Sequence, residues 1–210
     1  MKSVSELIKY SRALYDRRLV HASGGNTSVR VGDQVWITQT GAVLGELTQA
    51  ELSIVNLDGV LMAGGQPSKE LGMHLAMYRS RPTVKAVIHV HPTYAIAYST
   101  LIEKASLDSI PCYTAAFYMR AGRVPMTDYF HSGSEGLHHA VAELAPHFHA
   151  ILLRQHGVIV AAADMSQAMG ILEEIEQCCQ MALVTEGKGK PLTQDQKDGI
   201  DKKMGRKWMD

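Results

Sequence analysis

Two histidines one residue apart, His89-Val90-His91, end an apolar run formed by Val84, Ala86, Val87 and Ile88 and precede Pro92. On a β-strand, residues i and i+2 project from the same face, so both imidazoles can bind one ion. A third histidine, in Gln155-His156-Gly157, follows a second apolar run, Ala150, Ile151, Leu152 and Leu153. Three histidines that leave a fourth position open make the donor set of a catalytic rather than a structural zinc. The competing reading of His89 and His91 is a buried hydrogen-bonding pair, and spacing alone leaves both open. Gly157 allows backbone to come close to a ligand.

Pro67-Ser68-Lys69-Glu70 stands at the expected start of a helix. Backbone N–H groups and the positive end of the helix dipole favour an anion there, with Ser68 and Lys69 as added donors. Glu70 is the carboxylate of this run and suits acid–base work beside a metal. An ordinary capped helix explains the same residues. Gly24-Gly25-Asn26-Thr27-Ser28 and Thr38-Gln39-Thr40-Gly41 read either as plain turns or as two halves of a phosphate cradle.

The elements that must position these residues are visible in the periodicity. Ser3 and Glu6 form a capping-box pattern ahead of Leu7, Tyr10, Leu14 and Arg18 at helical spacing. Residues 27–31 and 34–38 read as a hairpin turning at Gly32-Asp33, and 53–57 and 60–62 as another turning at Asp58-Gly59. A capping box at Thr48-Gln-Ala-Glu51 marks a short helical piece. Helices are expected from about Ser68 to Pro82, over 93–101 and 135–144, and from about Asp164 with Ile171, Leu172, Ile175, Cys179, Ala182 and Leu183 as its apolar stripe. Strand-like runs at 150–153 and 158–161 flank His156. Hairpins mixed with covering helices argue for an α+β or three-layer domain with a mixed, largely antiparallel sheet.

At 210 residues the chain is expected to form a single domain, 1–210, with a polar tail over 186–210 that orders only against a neighbour. Apolar residues make up 46% and charged residues 20%, ordinary values for a globular protein, and the formal charge is zero. This balance points to no nucleic-acid partner and no polybasic membrane surface. No stretch has transmembrane length, and the opening MKSVSELIKY reads as a helix start rather than a signal peptide. Cys112, Cys178 and Cys179 form neither a disulfide framework nor a zinc ribbon, which fits a cytoplasmic location.

Taken in order, Gly25-Asn26-Thr27-Ser28, Thr40-Gly41, Pro67-Ser68-Lys69-Glu70, His89-Val-His91 and His156-Gly157 resemble the class II aldolase/adducin family over about residues 5–185. The resemblance implies a three-layer α/β/α fold with a central, mainly antiparallel sheet, and a homotetramer with sites near subunit interfaces. It matches His89, His91 and His156 to the family's metal histidines, the ion being Zn2+ or another divalent metal such as Mn2+ or Co2+. Glu70 matches the family's acid–base glutamate, and Gly25, Asn26, Thr40, Gly41 and Ser68 its phosphate-binding positions. The complete ligand set argues against the non-catalytic adducin branch.

Pro67-Ser68-Lys69-Glu70, the Phe117-Tyr-Met-Arg-Ala-Gly-Arg-Val-Pro125 segment and Tyr129-Phe130 are similar to the 3-oxo-tetronate 4-phosphate decarboxylase branch of that family. Two positions depart from it: Pro92 after His91, and His131 after the aromatic pair. The expected substrate is thus a small phosphorylated sugar acid, with Lys69 offering a cation for its second anionic group. The alternative is a ketose phosphate, cleaved by an aldolase of fuculose-phosphate type or turned over by a pentulose-phosphate 4-epimerase. In an aldolase, Tyr113 or Tyr118 is a candidate acid for the leaving alkoxide.

Overall fold

A computed structural model describes residues 2–206. Its framework is one 8-stranded sheet in the order β4-β3-β2-β1-β5-β8-β7-β6. The strands are β1 (Asn26–Val31), β2 (Gln34–Thr38), β3 (Leu52–Asn56), β4 (Leu61–Ala63), β5 (Ala86–Val90), β6 (Met126–Thr127), β7 (Ala150–Leu153) and β8 (Gly157–Ala162). Every pairing among them is antiparallel except β6 with β7. The expected mixed, mainly antiparallel sheet is therefore present, with helices on both faces.

Period-two alternation sorts the strand side chains between two cores. On one face Val29, Ala86, Ile88, Leu152 and Val160 pack with residues of α1 (Lys2–Asp16), α3 (Thr93–Ser99), α4 (Ala115–Ala121) and α6 (Met165–Val184). On the other, Val35, Val55, Val87, Ile151 and Ile159 pack with α2 (Leu71–Ser80) and α5 (Glu135–Leu144). Central β5 is buried at every position and lies between β1 and β8. Its odd-numbered side chains, His89 among them, face the α2/α5 layer.

Three expectations need correction. Ser3 lies inside α1 rather than at its cap. The helix expected from Ser68 starts at Leu71, because Ser68 is tied to the end of β2 by its N–H on the Thr38 carbonyl (3.1 Å). Ser68 then turns the chain by accepting Glu70 N–H on Oγ (3.2 Å), which leaves Glu70 as the N-cap of α2. The polar tail orders on its own chain: α7 (Gln194–Met204) opens with a Thr193/Gln196 capping box and lies against α4. Tyr118 Oη donates to Asp201 (2.8 Å) and Lys197 Nζ to Asp108 (2.7 Å). Residues 207–210 of that tail lie outside the described part.

Candidate metal centre

The three histidines and Glu70 converge at one end of the sheet. Their ligand atoms all lie within 4.8 Å of one another. β5 supplies His89 at its last turn of pleat and His91 just beyond its end, with the two Nε2 atoms 3.1 Å apart. The β7–β8 hairpin supplies His156 through a turn in which Gln155 takes φ of 52°. Glu70 reaches both strands, with Oε2 3.1 Å from His89 Nε2 and Oε1 3.1 Å from His156 Nε2.

Local sequence explains the convergence. A Cβ on Gly157 would sit 2.3 Å from the Val90 carbonyl oxygen, so only glycine lets the hairpin close against the end of β5. Gly25, at φ 71°, also brings the polar turn close to β5, where a Cβ would be 2.8 Å from the His89 carbonyl oxygen. Beyond His91, Glu176 on α6 accepts from Tyr94 N (2.9 Å) and Ala95 N (2.8 Å), which pins the start of α3 and hence the exit of the histidine segment.

The donor set fits a divalent cation. His89 is fully buried, and its Nδ1 lies 3.1 Å from the Val158 carbonyl, to which only a protonated Nδ1 can donate. That hydrogen bond leaves the Nε2 lone pair directed at the cluster, the arrangement expected behind a metal-ligating imidazole. His91 is held neutral, its pKa pushed down to about 3 by burial and by His89 and His156, against the opposing charge of Glu70. Burial by itself would raise the Glu70 carboxyl. The charge of His89 and the hydrogen bonds from His156, His89 and Asn26 outweigh it and hold Glu70 far below the usual carboxylate range. The positive end of α2 acts in the same direction.

Above the cluster lies a cavity of about 180 Å³, lined by Gly25, Asn26, Thr40, Gly41, Ser68, Lys69, Glu70 and His91, with Ser23, Gly24, Gln39 and Ser132. All the residues singled out in the turn motifs are thus brought together. Their roles in hydrogen bonding differ, however. Thr40 spends its hydroxyl proton on the Pro67 carbonyl (2.8 Å), a bond that ties the two turns to each other. Ser68 accepts from Glu70 N, so its own proton is not committed by that bond. Lys69 is exposed, with no ion pair among the described residues. Tyr118 packs in the core on the opposite face of the sheet, and Tyr113 lies beside Gly189; neither lines this cavity.

Two contributors had no signal read from the sequence. Ser132 Oγ donates to Glu70 Oε1 (2.7 Å) from the loop that follows the aromatic pair. His74 is fully buried one hydrogen bond behind the cavity wall, with Nε2 2.6 Å from Asn26 Oδ1. The spacing Glu70, His74, Tyr78 could have marked it, since i, i+4 and i+8 share one stripe of a helix.

The family model described as the class II aldolase and adducin N-terminal domain matches residues 5–183. A 3-oxo-tetronate 4-phosphate decarboxylase of Pectobacterium atrosepticum is 35% identical over 181 residues, 86% of this chain and 83% of that protein. An L-fuculose phosphate aldolase of Methanococcus maripaludis is 36% identical over 178 residues, covering 85% and 94%. The solved structure of YgbL from Klebsiella pneumoniae superposes with a TM-score of 0.90 at 31% identity, covering 95% of this chain and 97% of that one.

Proposed function

The chain belongs to the class II aldolase and adducin family, and on that premise we propose that it is a metal-dependent carbon–carbon lyase that decarboxylates 3-oxo-tetronate 4-phosphate. The observation that carries this reading is the convergence of His89, His91, His156 and Glu70 beneath a cavity that also contains Lys69. In this reading the three histidines hold the ion, which is Zn2+ or another divalent metal such as Mn2+ or Co2+. When bound, the ion supplies Lewis-acid stabilisation of the developing enediolate.

The chain's own groups do the remainder. Gly25, Asn26, Gly41 and Ser68 hold the phosphate with backbone and side-chain donors, and Thr40 contributes by fixing its turn to Pro67. Lys69 offers a cation to the substrate carboxylate. The bond from the carboxylate carbon to C2 breaks, CO2 departs, and the electron pair passes into the enediolate spanning C2 and C3. Glu70 delivers the proton to C2, giving dihydroxyacetone phosphate. A histidine that ligates through Nε2 carries no proton there. Beside a bound divalent cation Glu70 is ionised at rest, so the proton it passes to C2 is taken up from solvent.

Aldol cleavage of a ketose phosphate, or 4-epimerisation, is the second reading, favoured by the identity to the L-fuculose phosphate aldolase. An aldolase needs an acid for the alkoxide of the leaving aldehyde. In one chain neither Tyr113 nor Tyr118 lines the cavity, and decarboxylation has no such requirement. We also infer a homotetramer with sites near its subunit interfaces, checked by light scattering of the metal-loaded protein. No helix of the described residues is long and apolar enough to cross a membrane.

The test is turnover of 3-oxo-tetronate 4-phosphate by metal-loaded protein, read as dihydroxyacetone phosphate. Product that vanishes with a chelator and with Glu70→Gln supports the assignment. No product from folded, metal-loaded protein, combined with cleavage of a ketose 1-phosphate, replaces the decarboxylase by the aldolase.

A further inference from the structure

Behind Glu70 the protein buries a chain of polar side chains, of which the proposed chemistry uses only Asn26. Asn26 and Ser28, two apart on β1, share the face that meets α2. From α2, His74 and Tyr78 return toward that strand. Asn26 Nδ2 lies 2.8 Å from Glu70 Oε2, and His74 Nε2 lies 2.6 Å from Asn26 Oδ1. Ser28 Oγ is 2.7 Å from His74 Nδ1 and 2.7 Å from Tyr78 Oη. Asn26, Ser28, Glu70, His74 and Tyr78 are all buried.

Chemistry at one end sets every direction. Asn26 turns its amide nitrogen to Glu70 Oε2 and its carbonyl oxygen, which only accepts, to His74. His74 must then donate from Nε2. Burial and the nearby His89, against the pull of Glu70, hold the His74 pKa down to about 3, so the ring is neutral and Nδ1 is a bare acceptor. Ser28 therefore donates to Nδ1, and Tyr78 donates to Ser28. A neutral imidazole, donor on one nitrogen and acceptor on the other, transmits this direction.

We propose that His74 is a positioning residue: held as the Nε2–H tautomer by Ser28, it locks the Asn26 amide so that Asn26 presents only N–H groups to Glu70 and to the ligand cavity. One amide proton goes to Glu70, and the second is directed to an oxygen acceptor of the ligand. An asparagine free to turn over would present its carbonyl there and repel an anionic oxygen. This selectivity rests on the reading of the cavity as the substrate site, whereas the orientation itself does not.

The experiment uses the full-length, zinc-loaded protein labelled with 15N-histidine, in which long-range 1H–15N correlation spectra report the tautomer of each ring. Two variants separate positioning from mere packing. His74→Gln keeps a donor near Nε2, and His74→Asn keeps a polar group near Nδ1 but offers nothing to Asn26. Calorimetry with dihydroxyacetone phosphate as the probe, and circular dichroism as the fold control, complete the set. The expected result is an Nε2–H His74, binding within about threefold of wild type for His74→Gln, and binding weakened roughly tenfold for His74→Asn. An Nδ1–H or doubly protonated His74, or equal losses in the two folded variants, overturns the proposal. Wild-type protein that does not bind the probe overturns the substrate reading alone, and the tautomer still decides the orientation.

Discussion

Asn26 and His89 are register partners on neighbouring strands, and both reach the same oxygen of Glu70. Asn26 Nδ2 stands 2.8 Å and His89 Nε2 3.1 Å from Oε2. Ser132 Oγ (2.7 Å) and His156 Nε2 (3.1 Å) take the other oxygen in the same way. A single cross-strand pairing on the sheet thus sets one side of the carboxylate, and a hairpin and a loop set the other. The carboxylate is oriented by four groups from four separate stretches of chain.

Glu70→Gln replaces one accepting oxygen by an N–H₂ that must face donors on either side. Activity is expected to fall at least about 100-fold, with the fold and the metal content kept. Steady-state kinetics beside metal analysis of the same preparation checks this. Undiminished kcat would remove Glu70 from the chemistry.

Each of His89→Ala, His91→Ala and His156→Ala is expected to lose bound metal. Chelation of the wild type should lower its melting temperature and abolish turnover, both restored by added zinc. Stabilisation by a metal at 100 times its Kd is about 2.7 kcal/mol, and the alanine variants should lack it. Calorimetric melts with and without metal test the set together.

Gly157→Ala places a methyl group 2.3 Å from the Val90 carbonyl oxygen and 2.9 Å from His91 Cδ2. Urea unfolding of the metal-free protein should show a loss of about 1–3 kcal/mol, and metal titration a weaker site. Gly199→Ala is the contrast. Gly199 lies in α7 with nothing within 4 Å of an added Cβ, and alanine there should be neutral or stabilising by up to about 1 kcal/mol.

His149 accepts from Arg81 Nη1 at 2.9 Å, and its pKa is held down to about 4 by burial and by the charges of Arg81 and Arg206. The unfolded chain, near the ordinary value of 6.5, binds this proton first. Stability from His149 is therefore fully present above about pH 6.5 and is lost as the pH falls toward 4. Chelator-treated wild type should take up about one more proton on unfolding in this window than His149→Asn does. Equal uptake by the two proteins would contradict the assignment.

Much of the site was legible because its residues obey local rules. His89 and His91 declare a shared strand face, whereas the close approach that Gly157 allows is to the Val90 carbonyl rather than to a ligand. The β1–β2 hairpin and α5 carry their own turn and capping signals. What escaped depends on distant partners. β6 is two residues long and exists through its parallel pairing with β7. α7 buries only Asp201, so no apolar stripe announces it. Ser132 belongs to a loop whose path over Glu70 is set by the fold and not by its neighbours in the chain. The start of α2 was misread because Ser68 is held by β2, a contact that no helix-capping rule contains.

The order in which the sheet is threaded has a consequence for biogenesis. β5, which carries His89 and leads directly into His91, acquires β8 as its second neighbour only after α3, α4, β6, α5 and β7 have been made. A nascent chain that has emerged through His91 holds Glu70, His89 and His91 but has no hairpin to bring His156 to them. On the proposed assignment of these residues, full coordination is a late event that requires the central strands to have closed in their native register.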